Sequence, residues 1–157
     1  MLTLYISTLI SQGEKMKSLR MSEELGYLIK QVQHELRKKL DKSLSSIELT
    51  TPQYAALAVL QEHPGLSNAD LARKSFITPQ TMNLIVKNLE NRNIVSRTGS
   101  KTHGKKMDTN ITQTGQSILE KANNIVLSIE DEMFGRLSNE EAEMLSILLK
   151  KLKNEST

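Results

Sequence analysis

LSNADLARKSFITPQTMNLIVKNLENRN, residues 66–93, is the stretch whose reading decides the fold. It reads as a short helix, a tight connection and a second helix. Ser67 is placed as an N-cap, with Asp70 three residues on to reach back to the free amides, and Leu66 and Leu71 can close across the start as a hydrophobic staple. The arrangement recurs at once, with Thr78 as cap, Pro79 at the first helical position and Ile77 set to pack on Met82. Two helices that begin within twelve residues of each other must cross steeply, which is the geometry of a helix-turn-helix. In the second helix Met82, Ile85, Val86 and Leu89 follow i, i+3, i+4, i+7 and make one core stripe. Gln80, Leu84, Lys87 and Asn91 face away, flanked by Thr81, Asn83 and Asn88. That outer surface is amide, hydroxyl and one cation with almost no carboxylate, and it suits base edges and phosphates.

Charge distribution supports the same direction. The net charge of the 157 residues is only +3, too small to mark a polyanion binder by itself. Residues 66–106, however, carry eight basic side chains against two acidic ones, whereas residues 107–157 carry five against nine. The middle is suited to polyanions and the C-terminal part is not. Aromatic residues make up 3% and there is no Trp, which argues against stacking platforms for single strands. The absence of Cys excludes disulfides, thiolate zinc clusters and thiol redox sensing, and it is compatible with a cytoplasmic location. With hydrophobic residues at 38%, a monomer would have a thin core, for which a second copy is the natural remedy.

Working outward, Leu25, Leu28, Ile29, Val32, Leu36 and Leu40 keep helical spacing from about Ser22 to Leu44. Thr51 and Pro52 open a further helix that reaches His63 before the Pro64-Gly65 break, with Tyr54, Leu57, Val59 and Leu60 on its buried sides. After the helix-turn-helix, Ile94 and Val95 begin a short strand, Gly99 to Gly104 is a basic connection and Asp108 to Ile111 returns as the paired strand. A two-stranded ribbon with a cationic tip beside a helix-turn-helix is a wing. Its cations are Arg97, Lys101, Lys105 and Lys106, and His103 adds a charge that depends on pH. Thr112 caps a long helix carrying Ile118, Ala122, Ile125, Val126, Ile129 and Met133, and Gly135 is expected to end it in the left-handed conformation. Ser138 and Glu141 form a capping box for a last helix to about Lys153. Six large apolar residues between Met144 and Leu152 cover more than one face of that helix, so a second subunit is expected to cover the excess. The first ten residues, MLTLYISTLI, are too few to span a membrane, which takes about 20. They lack the flanks of a signal peptide and read as a leader or as an apolar strip against a partner.

This order of elements resembles the MarR family of bacterial transcription regulators from roughly Leu25 to Leu152. The segments that carry the resemblance are LTTPQYAALAVL (49–60), LSNADLARKSFITPQTMNLIVKNLENRNIV (66–95) and ITQTG (111–115). The fold it implies is mainly α with a small β wing. A winged helix-turn-helix over 49–112 is flanked by long N- and C-terminal dimerisation helices at 21–48 and 113–157, after a leader over 1–20. The family implies a homodimer on a pseudo-palindromic operator in double-stranded DNA; many members are repressors released by a small-molecule effector. By position, the recognition helix is Thr78 to Arg92 and the wing Arg97 to Asn110. DNA contacts are then expected from Thr78, Gln80, Thr81, Asn83, Leu84 and Lys87, and from the wing's Arg97, Lys101, His103, Lys105 and Lys106. Tyr27, Tyr54 and Met107 are effector-pocket linings implied by the same resemblance. At the wing tip, where the family often has Asp-Arg-Arg, this chain has His103, Gly104 and Lys105, so a bidentate arginine fork is missing.

Other classes have less behind them. No Gly-rich phosphate loop, nucleophile elbow or paired metal-binding histidines occur, so neither catalysis nor a cofactor is expected. His34 or His63 with Glu35 or Glu62 could be imagined as a zinc sensor, but the three histidines lie far apart without ligand spacing. The competing function from a different class is a winged-helix protein-interaction module that has lost DNA binding. A salt-dependent shift on duplex DNA separates the two.

Overall fold

The computed structural model describes residues 24–99 and 107–153. The expectations for residues 1–20 and for Lys101, His103, Lys105 and Lys106 therefore lie outside the described residues. The chain divides into two compact units, Met1–Lys38 and Lys39–Thr157, and the boundary falls within the first described helix, α1, over 24–44. In the first unit α1 leaves Leu25, Tyr27, Leu28, Ile29 and Val32 exposed.

The second unit continues from the end of α1 through a 3-10 turn (Ser45–Ile47), α2 (Thr51–Glu62), α3 (Asn68–Lys74), α4 (Pro79–Asn91), β1 (Val95–Gly99), β2 (Met107–Ile111), α5 (Gln113–Phe134) and α6 (Asn139–Lys153). Its core is one cluster that includes Leu44, Leu49, Leu57, Leu60, Leu71, Met82, Leu89, Ile94 and Leu119. Leu119 was not among the residues expected on the buried side of α5; the i, i+3, i+7 run Leu119, Ala122, Val126 is the stripe that faces inward. The two strands pair antiparallel from Val95↔Ile111 to Gly99↔Met107, and Leu66 adds an isolated bridge to Thr109, so the ribbon's root is held from both sides. Lys39 on Glu132 (2.8 Å) and Thr51 on Asp41 (2.5 Å) tie the end of α1 to α5 and α2.

Helix starts follow the expected caps. Ser67, Thr78 and Thr112 accept from the amides of Asp70, Thr81 and Gly115, and Ser138 and Glu141 form the reciprocal box. A box at Thr50 and Gln53 joins them, one residue before the expected start of α2. At Ser67 the Asp70 carboxylate also accepts from the Ser67 hydroxyl (2.6 Å).

Helix ends follow another rule. Glu48, Phe76 and Asn93 take φ of 55°, 54° and 55°, and the next residue's amide reaches back to Leu44, Ala72 and Leu89. Each is a Schellman stop with an apolar residue after it, Leu49, Ile77 or Ile94, folded onto the core cluster. Glycine at the left-handed position would be usual; none of the three has it. Gly135 corrects the opposite expectation. It has φ −64°, not a left-handed value, and a Cβ there would stand 2.4 Å from the Asp131 carbonyl oxygen, so close approach is what requires glycine.

Candidate nucleic-acid interface

The expected recognition surface is assembled on α4. Met82, Ile85, Val86 and Leu89 bury one side of the helix, which fixes its rotation and turns the opposite side outward. Thr78, Gln80, Thr81, Asn83, Leu84, Lys87, Asn88 and Asn91 are all exposed, Leu84 to 71%. The first turn has no acidic residue, so the positive end of the helix dipole is not offset there.

Several of these side chains are already oriented. The Asn68 amide donates to Asn83 Oδ1 (2.7 Å), leaving the Asn83 nitrogen free to donate outward. The Thr78 hydroxyl donates to Thr81 Oγ1 (2.9 Å). Gln53 donates to Asn88 Oδ1 (2.7 Å), tying the back of α4 to α2. Gln80 and Lys87 make no hydrogen bond or ion pair among the described residues. The structure thus brings the six recognition-helix residues named from the sequence onto one exposed, carboxylate-poor surface.

The wing is different. Arg97 donates through Nε to Glu90 Oε2 (2.9 Å) and through its terminal nitrogen to the same oxygen, so this wing cation has an internal partner at the end of α4. The Glu90 carboxyl is held below its ordinary value first by that hydrogen bond and then by the Arg97 charge, and Arg97 is raised reciprocally. The sequence shows Arg97 as an available cation; the seven-residue separation of the pair crosses a helix end and a strand start, where no periodic rule applies. Arg92 is also engaged, donating to the Glu48 carbonyl (2.6 Å).

The three residues expected to line an effector pocket fall on different parts of the chain. Tyr27 belongs to the first unit, Tyr54 to the second, and Met107 opens β2. Tyr54 is half-buried, its hydroxyl donates to Asn123 Oδ1 (3.1 Å), and burial, then the Glu130 charge, raises its pKa. A shallow cavity of about 540 Å³ lies between Ser43, Ser46, Asn124, Ile125, Ser128 and Ile129. Among the described residues there is no cluster of His, Asp or Glu that could hold a metal ion, and no helix is long and apolar enough to cross a membrane.

This architecture is a winged helix-turn-helix. Residues 47–106 match the profile of the MarR family. Over 128 residues the chain is 33% identical to the HTH-type transcriptional repressor Rv2887 of Mycobacterium tuberculosis, covering 82% of this chain and 92% of that protein. The crystal structure of Rv2887 in complex with DNA superposes with a TM-score of 0.69 at 30% identity, covering 83% of this chain and 98% of that one. Rv2887 in complex with salicylic acid gives 0.68 at 33% identity, covering 82% and 95%. The chain belongs to the MarR family, and the relatives it matches at this identity are transcriptional regulators.

Proposed function

We propose that the chain is a homodimeric transcriptional repressor that binds a pseudo-palindromic operator in duplex DNA and is released by a small aromatic acid. It works in the cytoplasm, without catalytic activity or a cofactor. The observation that carries the reading is the outer face of α4. It is polar, exposed and free of carboxylate in its first turn, and it stands on the second helix of a helix-turn-helix. Gln80 and Asn83 offer amides for base edges, Leu84 an apolar contact for a thymine methyl, and Thr78, Thr81 and Lys87 hydroxyls and a charge for phosphates. From the wing, Lys101, His103, Lys105 and Lys106 are the proposed contacts to the backbone in the neighbouring groove, with Arg97 joining them where it leaves Glu90. The effector assignment rests on Rv2887, whose structure holds salicylic acid; Tyr27, Tyr54 and Met107 are the residues proposed to meet such a ligand.

Fluorescence anisotropy with duplexes tiled across the DNA flanking the gene tests the reading. Tight binding to one duplex, weakened by rising salt and reversed by salicylate, is expected. Gln80→Ala should change base preference and Lys87→Ala should weaken all sequences evenly. Failure to bind any duplex at low salt overturns the reading and favours a protein-interaction module.

A further inference from the structure

Phe76 is the residue that the fold and the recognition surface leave unexplained. It lies in the turn between α3 and α4, is 89% exposed, and has φ 54° at the left-handed stop of α3. A bulky residue is strained in that region, where glycine or asparagine is unstrained. Asn93 meets the same backbone demand with a suitable residue, and Glu48 with a polar one. Only Phe76 of the three combines the strained backbone with an apolar ring in water. Neither feature stabilises the folded protein.

The surroundings say what the ring is for. Arg73 and Lys74 form the cationic last turn of α3 on one side, and the acid-free first turn of α4, with Thr78 and Gln80, lies on the other. The Asp70 carboxylate, on the same helix, is engaged by Arg73 at 3.2 Å. A partner that meets this turn therefore carries negative charge and also offers an apolar surface to a ring. In a docked helix-turn-helix the first helix crosses the sugar–phosphate backbone and the second enters the groove, so the turn between them passes over the groove edge. Deoxyribose is the apolar surface found there. Building on the DNA-binding reading above, we infer that Phe76 is a DNA-contacting residue whose ring packs on a deoxyribose at the groove edge, beside the phosphates met by Arg73 and Lys74. It contributes affinity without reading sequence, and left-handed strain in the free protein is the cost of presenting it.

The test uses the full chain as wild type, Phe76→Gly, Phe76→Leu and Lys87→Ala, with melting curves, sedimentation and anisotropy on operator and unrelated duplexes. Phe76→Gly is expected to melt at a higher temperature, to keep its oligomeric state and to bind every duplex about tenfold more weakly, as loss of one buried aromatic contact implies. Phe76→Leu should recover part of that loss. Binding by Phe76→Gly equal to wild type, while Lys87→Ala weakens it, overturns this inference alone; a wild type that binds no duplex overturns the DNA reading itself. A defect that disappears when uracil replaces thymine overturns the deoxyribose contact in favour of a methyl contact. Changed oligomeric state, or normal DNA binding with altered repression, assigns the ring to a protein partner and also overturns the inference.

Discussion

Thr109 is fully buried and its hydroxyl has no hydrogen-bond partner among the described residues, although its backbone bonds both to Leu66 and to the amide of Gly65. A buried hydroxyl without a partner costs about 1–3 kcal/mol in lost hydration. Thr109→Val keeps the β-branched shape and removes the orphan, so it should stabilise the fold by ~1 kcal/mol, read as a higher urea midpoint at unchanged m. Gly115 has the opposite sensitivity. A Cβ there would stand 2.0 Å from the Ile94 carbonyl oxygen and 2.7 Å from Ile111 Cγ2, because the first turn of α5 lies directly on the chain entering β1. That oxygen also accepts from the Thr112 amide (3.0 Å), so it has no room to retreat. Gly115→Ala should therefore destabilise by about 1–3 kcal/mol or more, an overpacking effect measurable in the same titration. The ITQTG segment was visible in the sequence as a family feature, but the reason for its glycine was not. It depends on how closely a helix start approaches a carbonyl from a distant segment.

At the scale of elements, the capped helix starts were legible, as were the stops at Pro64-Gly65 and Gly135, but the three stops without glycine were not, for a chemical reason. An N-cap needs a side-chain oxygen, so Ser67, Thr78, Thr112 and Ser138 announce themselves. A Schellman stop is made by backbone amides, and with Glu48, Phe76 and Asn93 in place of glycine nothing in the side chains marks it. The Arg97–Glu90 pair was equally invisible, though both residues were counted in the charge balance. Its consequence is testable. A carboxyl held below its ordinary 4.5 stabilises the folded state fully above that value, and the contribution fades as pH falls through the folded-state value. Glu90→Gln should thus be less stable than wild type at pH 7 and converge with it in acid. The same change leaves Arg97 less restrained, so its log–log salt slope on DNA should steepen by up to about 1 unit. Equal slopes would mean that Arg97 stays away from phosphate even when unpaired.

For the molecule as a whole, the surface that most needs a partner is α6. Met144, Leu145, Ile147, Leu148, Leu149 and Leu152 are all exposed, and no residue of the helix is buried. The periodicity implies that two surfaces cover this helix, and the fold of one chain covers neither fully. A groove of about 330 Å³ along it is walled by Phe134, Leu137, Ala142, Leu145 and Leu149. Isolated exposed leucines are ordinary, but an apolar strip of this extent marks an association surface. Leu145→Asp with Leu149→Asp should shift the sedimenting species from dimer to monomer and weaken operator binding, because two linked half-sites become one. A double variant that still sediments as a dimer would place the interface elsewhere.

The three glycine-free helix stops bear on how the chain assembles. Each corner closes by a contact reaching back only five residues: Leu49 to Leu44, Ile77 to Ala72 and Ile94 to Leu89. Short loops of this kind are found quickly by a searching chain, whereas the ribbon pairing and the seating of α5 on α2 join distant segments. The bends around the recognition helix can therefore form ahead of the long-range topology. What remains for the slow step is the arrival of Leu119 and Ala122 in the common core, so the orientation of α4 is encoded locally and its anchorage remotely.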